Sequence, residues 1–413
     1  MLKILFLLFV SFIGIYLNVW FLLMTFGHKS KLKERKKAIK FPTISVLIPA
    51  YNEARNLPKA LNSLINLDYP KNKLEVIVID NGSTDDTLKV AKRFKLNRCK
   101  LKIRIFSLPV RGKVKALNLG LKYAKGEIIG VLDADTIVSK SCLKRMIGYF
   151  NEKVGAVTNH VKVVHSRGLL PSIQEIEYVF SAFSKKLISF LDALYIVPGT
   201  LSLIRRDIID NIGFSEDTVT EDMDIALCML KRNYKIVNAL DAISYTEVPC
   251  SFRDLLKQRI RWYRGFIQNL KKHSDIVFNK RYAHLGYFIF PFSSILAIFV
   301  GGVLTILLTF NLIRNTLLFI KDITYIPIFE KLGMSFGKIS LVSFIVEPYS
   351  TIAYVTILTG SFIVLFISFR ALKIKFKKRL ILLPLYFFLY YNLIILFWII
   401  STFMELIGWK KKW

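Results

Sequence analysis

Short apolar runs and helical periodicities alternate along residues 41–275. Residues 43–49 (TISVLIP) and 74–80 (LEVIVID) are apolar runs rich in β-branched side chains, and they read as buried strands. Residues 101–106 and 127–132 read the same way. Amphipathic patterns at 54–65, 85–94 and 114–124 predict helices between them. Strand and helix in alternation imply an α/β domain with a mostly parallel, Rossmann-like sheet and helices on both faces. Ligands of such sheets bind beyond the carboxyl ends of the strands. The polar signals fall there: Tyr51-Asn52-Glu53 after the first strand, Asp80-Asn81-Gly82-Ser83 after the second, and Asp133-Ala134-Asp135 after the fourth.

Toward both ends the pattern turns apolar. Residues 4–26, 285–312, 349–369 and 380–407 are candidate spans, since crossing a bilayer takes about 20 apolar residues. The expected organisation is a transmembrane anchor (1–28), a basic linker (29–40), a catalytic-type domain (41–275) and a C-terminal transmembrane region (276–413). The net charge of +31 sits beside 53% hydrophobic residues because the two characters occupy different places. Basic runs at 29–40 and 370–379 flank the apolar segments, so membrane lipids, not nucleic acid, are the expected partner. Those runs predict a multi-pass protein of the cell membrane with its 41–275 domain in the cytosol and its N-terminus outside. Lys410 to Lys412 disagree, because this topology leaves them outside. Cys99, Cys142, Cys228 and Cys250 form no C-x-x-C pair and read as reduced thiols. Oligomeric state leaves no trace in the sequence.

Several polar groups suit one chemistry. Ala50-Tyr51-Asn52-Glu53 and Asp80 sit at adjacent strand ends, where an aromatic ring can flank a base and a carboxylate can accept from base or ribose donors. Asn and Asp are equally ordinary in turns and helix caps. Lys113 opens a helix and can meet a phosphate there, although a surface lysine has the same signature. Asp133 and Asp135 can share a Mg²⁺ or Mn²⁺ with diphosphate oxygens. Asp222-Met223-Asp224 has the same spacing but lies in a helical pattern. Thr220-Glu221-Asp222 reads as a helix cap with acids in the first turn, and equally as a site for a general base at Asp222. A basic, aromatic helix is predicted over 252–269. Gln258, Arg261 and Trp262 share one of its faces, where arginine can clamp a pyrophosphate. An amphipathic helix lying in the membrane interface has the same composition.

This ordered set resembles the membrane-bound family 2 glycosyltransferases, the group of cellulose, chitin, hyaluronan and nodulation oligochitin synthases. It runs from Pro49-Ala50-Tyr51-Asn52-Glu53 through Asp80, Gly112-Lys113, Asp133-Ala134-Asp135, Gly199-Thr200 and Thr220-Glu221-Asp222 to Gln258-Arg259-Ile260-Arg261-Trp262. The resemblance implies a GT-A fold and an inverting, metal-dependent transfer from a nucleotide sugar, most often a UDP-sugar, to a saccharide or lipid-linked acceptor. It implies donor contacts at Ala50, Tyr51, Glu53, Asp80, Lys113 and Asp133, and metal contacts at Asp133 and Asp135. Asp222 would be the base. Gly199, Thr200, Glu221, Gln258, Arg261 and Trp262 would meet acceptor or diphosphate. Two departures stand out. Asn81 occupies a position where the family often has a second aspartate, and the chain offers about four spans, fewer than the large polymer-secreting synthases.

Overall fold

The computed structural model describes residues 2–96, 101–164, 168–291, 348–374 and 377–409. Strands β1 (Ile44–Ala50), β2 (Leu74–Asn81), β3 (Lys102–Leu108) and β4 (Ile128–Leu132) lie where the apolar runs predict them. All pair in parallel, with Ala50 in register with Asp80. Helices α3 (Leu57–Ile65), α4 (Thr87–Leu96) and α5 (Lys113–Tyr123) connect them. Val46, Ile48, Val76 and Val78 pack in one core with α3, while Leu47, Ile77 and Ile79 pack in a second with α5. Both faces are therefore buried, which is why these strands are continuously apolar instead of alternating.

Four further strands complete an eight-stranded mixed sheet, in the order β3-β2-β1-β4-β7-β6-β8-β5. They are β5 (Ile137–Val138), β6 (Val154–Val163), β7 (Thr200–Arg205) and β8 (Lys235–Thr246). β7 runs antiparallel to both β4 and β6, so its start, Thr200, lies opposite Leu132 at the end of β4. That reversal brings the chain around Gly199 back to the acidic strand end. The remaining helices of this domain are α6 (Cys142–Ile147), α7 (Leu169–Phe190), α8 (Arg206–Ile212), α9 (Glu221–Lys231) and α10 (Phe252–Lys272).

Outside it lie α1 (Leu2–Gly27), the short α2 (Lys29–Lys33), α11 (Pro348–Ala371) and α12 (Tyr391–Leu406). Among the described residues one helical stretch, Leu380–Leu406, is long and apolar enough to cross a membrane, and Phe12–Gly27 and Thr359–Ala371 are shorter apolar helices. Most of the expected span at 285–312, and Lys410 to Lys412, lie outside the described residues. α12 packs along α10: the Trp398 ring stacks on Tyr263 at 4.1 Å and meets Phe266 edge-on at 5.5 Å.

Candidate active site

The loops after β1 and β2 are laced together. Asn52 has a left-handed backbone (φ 55°), which asparagine tolerates better than most residues. Its Oδ1 accepts from the Thr84 amide at 2.8 Å, and its own amide donates to Ser83 Oγ at 3.0 Å. The Glu53 amide donates to Thr87 Oγ1 at 2.8 Å. Tyr51 stands at this edge with the Arg111 guanidinium 4.3 Å from its ring centroid. Ala50 is fully buried, so its methyl group belongs to the core and only its backbone borders the site.

Asp80 is buried, and its Oδ2 accepts from Ser107 Oγ at 3.0 Å. Its Oδ1 has no hydrogen-bond partner among the described residues. A buried acceptor left open in this way fits a donor group on a ligand. Asn81 Oδ1 accepts from the Gly112 amide at 2.7 Å, so this departure from the family pattern anchors the loop that leads into α5.

Lys113, in the first turn of α5, is the hub. Its ammonium lies 2.9 Å from Asp133 and 2.9 Å from Glu221. Burial works against the ammonium, but Asp133 and Glu221 outweigh it and hold the group charged, above the ordinary lysine value. Two carboxylates thus hold the ammonium at the start of α5. Asp133 itself depends on Gly199. The Asp133 amide donates to Gly199 O at 2.7 Å, and a β-carbon at Gly199 would fall 2.5 Å from both carboxylate oxygens. Gly199 therefore leaves the room that the Asp133 carboxylate occupies.

Burial, with Asp133 and Glu53 nearby, pushes the Asp135 carboxyl up to about 7. Burial also raises Glu53, with Asp133 among the acids adding to it. Carboxylates that raise one another in this way fit a divalent cation, which removes the repulsion. A second group of metal-type side chains, Asp224, Cys228 and His273, has its ligand atoms within 4.8 Å of one another. There Asp224 already accepts from His273 at 2.7 Å and from Lys272 at 2.9 Å. The lysine supplies the counter-charge, and the group clasps α9 to the end of α10.

Asp222 lies in the first turn of α9. Burial and Glu221 raise its carboxyl to about 6, against the opposing pull of Lys113 and Arg261. Those partners show that Asp222, Glu221, Lys113, Arg261 and Asp133 share one electrostatic neighbourhood. The expected side-chain cap from Thr220 is not made: its Oγ1 accepts from Asn269 Nδ2 at 3.0 Å.

The two arginines of Gln258-Arg259-Ile260-Arg261-Trp262 part company. Arg259 is buried and pairs with both oxygens of Glu177 on α7, at 2.6 and 2.7 Å, while Tyr390 donates to the same carboxylate at 2.7 Å. Arg261 is exposed and faces Lys113 and Asp222 electrostatically. Trp262 lies beside the Arg259 guanidinium, 4.5 Å from its ring centroid. Gln258 Oε1 and Thr200 Oγ1 are buried with no hydrogen-bond partner among the described residues, as Asp80 Oδ1 is. Sequence reasoning missed Lys185 on α7, a half-buried lysine that feels Asp222 and Glu177. Its signal was a charged pair, Lys185-Lys186, following the apolar run Tyr178 to Phe183 in a helical pattern.

Comparison with known proteins identifies the family and the fold. The model of the family described as glycosyl transferase family 2 matches residues 45–213. A poly-beta-1,6-N-acetyl-D-glucosamine synthase of Staphylococcus epidermidis is 33% identical over 227 residues, which is 54% of this chain and 54% of that protein. The chain thus spans about half the length of that relative. A probable glycosyltransferase of Bacillus subtilis, YdaM, is 33% identical over 288 residues, covering 65% of this chain and 68% of the relative. Among solved structures, the mannosyltransferase PcManGT from Pyrobaculum calidifontis, in complex with GDP-Man and Mn²⁺, superposes with a TM-score of 0.54 at 22% identity. That match covers 85% of this chain and 97% of the mannosyltransferase, and it identifies the fold as the GT-A arrangement. On these grounds the chain belongs to glycosyl transferase family 2.

Proposed function

We propose that this protein transfers a sugar, with inversion, from a nucleoside diphosphate donor to a hydroxyl of a saccharide or lipid-linked acceptor at the cytosolic face of a membrane. The observation that carries the reading is the convergence of Lys113, Asp133, Glu221 and Asp222 at the carboxyl ends of the strands, with Arg261 in their field. Asp80 Oδ1 is open to a donor on the base or ribose. Lys113 and Arg261 offset the charge that develops on the departing diphosphate. Asp133 and Asp135 would hold Mg²⁺ or Mn²⁺, which supplies further charge neutralisation to the same leaving group. Asp222 takes the proton from the acceptor hydroxyl, whose oxygen attacks the anomeric carbon opposite the diphosphate. The carboxyl near 6 leaves Asp222 mostly ionised at neutral pH while keeping it a competent base. The synthase relative, named for an N-acetyl-D-glucosamine polymer, supports that sugar with chain extension, and the family resemblance suggests UDP as its carrier, so UDP-GlcNAc is the first donor to try. A membrane location is supported by the apolar stretch Leu380–Leu406 packed against the α10 side of the site.

A second reading, one sugar placed on a lipid phosphate, draws support from Lys185, whose pKa burial lowers and the Asp222 and Glu177 charges partly restore, so that an anionic acceptor would favour its charged form. The deciding experiment is Mn²⁺-stimulated UDP release from a panel of nucleotide sugars in membranes. Products are then sized on a gel, where a ladder supports polymer synthesis and a single lipid-extractable band supports the second reading. Asp222→Asn should lower transfer by about a hundredfold or more and retain UDP binding. Transfer by that variant near the wild-type rate would remove Asp222 as the base.

A further inference from the structure

Glu405 is a carboxylate one residue from the end of the apolar stretch Leu380–Leu406. An acid on such a helix is costly unless it is paired, and its partner is then the clue to its role. Its Oε2 accepts from Arg264 Nε at 2.8 Å, and both its oxygens lie within 3.3 Å of Gln268 Nε2. With its amide nitrogen turned to the acid, Gln268 presents Oε1 to the Val219 amide at 3.0 Å. The carboxylate thereby sets which end of the glutamine amide faces the chain before Asp222.

The same turn of α10 holds the next residue. Asn269 Nδ2 donates to Thr220 Oγ1 at 3.0 Å and to Thr218 Oγ1 at 3.2 Å. Gly265 permits this contact, because a β-carbon there would fall 2.3 Å from Thr220 Oγ1. Residues 218–220 are therefore laid on a shelf made by Gly265, Gln268 and Asn269. Asp222 follows two residues later, and its carbonyl accepts from Val197 at 3.1 Å.

We propose that Glu405 and Gln268 are positioning residues for Asp222: the apolar helix orients Gln268, which fixes Val219 and with it the start of α9. This rests on Asp222 being the base. A general base must sit within hydrogen-bond reach of its proton, and a misplacement of about 1 Å can cost about a hundredfold. Neither residue touches the donor side of the site, so the effect falls on kcat and not on donor KM.

The test uses the full chain in nanodiscs, with UDP-GlcNAc and Mn²⁺, and compares Glu405→Gln, Glu405→Asp and Gln268→Leu with wild type. Two readouts are taken: UDP release, and hydrogen exchange of the peptide containing residues 215–225. Expected are a tenfold or greater fall in kcat for Glu405→Gln and Gln268→Leu, an unchanged donor KM, partial rescue in Glu405→Asp, and faster exchange at 215–225 while β1 and β2 amides stay protected. Unchanged exchange at 215–225 overturns the proposal, as does faster exchange with kcat unaltered. Should wild type release no UDP from any nucleotide sugar, the functional reading fails, and the exchange readout still decides whether Glu405 holds this segment.

Discussion

The two walls of the site are built differently. The wall proposed to hold the donor, at the ends of β1, β2 and β4, rests on strands buried on both faces, and its loops are bonded to neighbours about 30 residues away in sequence. The wall proposed to meet the acceptor, made of α7, α9 and α10, is also tied by ion pairs whose arginines are buried and whose partners lie far away in sequence. Arg259 reaches Glu177 across 82 residues, and Arg264 reaches Glu405 across 141. Apolar burial is non-directional and tolerates small shifts, whereas a buried ion pair destabilises strongly when one partner is lost. Both walls share apolar packing, since α9 and α10 enter the same core as Leu47, Ile77 and Ile79. The second wall adds polar ties whose loss would shift it.

The sharpest break is at the base. Asp222→Asn should lower transfer by about a hundred- to ten-thousandfold while leaving UDP affinity within error, as read by UDP release and by titration calorimetry. A parallel loss of UDP binding would mean that the two walls are not separable.

Arg259→Met should cost about 3–5 kcal/mol of stability, because Glu177 is left without its cation. Thermal unfolding measures the loss, and hydrogen exchange should rise in α7 and α10 before it rises in β1 and β2. Uniform exchange across both walls would erase the distinction between them.

On the donor wall, Gly199→Ala should cost about 1–3 kcal/mol through the clash with Asp133, and it should raise the Mn²⁺ concentration needed for half-maximal activity. A metal requirement equal to wild type would show that Asp133 does not need this opening.

The pH profile separates the walls by protonation. The base works ionised, so kcat/KM should climb from pH 5 to 7 with an acid limb near 6. That limb should be missing from the residual rate of Asp222→Asn. The linkage has the same origin. Asp222 holds its proton more tightly folded than unfolded, so stability falls as pH rises from the ordinary carboxylate range through about 6. Without metal, Asp222→Asn should melt higher than wild type at pH 7, and the gap should close at pH 4.

The smallest effect is expected at Ser107, whose hydroxyl steadies Asp80. Ser107→Ala removes one hydrogen bond of about 0.5–1.5 kcal/mol, which raises donor KM by up to about tenfold with kcat held. A change in kcat instead would place Asp80 nearer the chemistry than the nucleoside.

By itself the sequence determined the local parts. The apolar runs at 43–49 and 74–80 became β1 and β2 within a residue or two, because burial on both faces leaves a continuous signature. The motif helix at 252–269 appeared as α10, starting at Phe252 as expected. The strand-end acids Asp80 and Asp133 lie along one edge of the sheet because the topology sends those loops there. Tertiary structure alone decided what Arg259 does: helical spacing already set Arg261 apart with Gln258 and Trp262, but the pairing of Arg259 with both oxygens of Glu177 exists only in the fold. It also decided that Gly199 exists to admit the Asp133 carboxylate, and that Glu405 is tied to the segment before Asp222. Ion pairs between distant helices carry no period and no spacing, so they become visible only when the chain is packed.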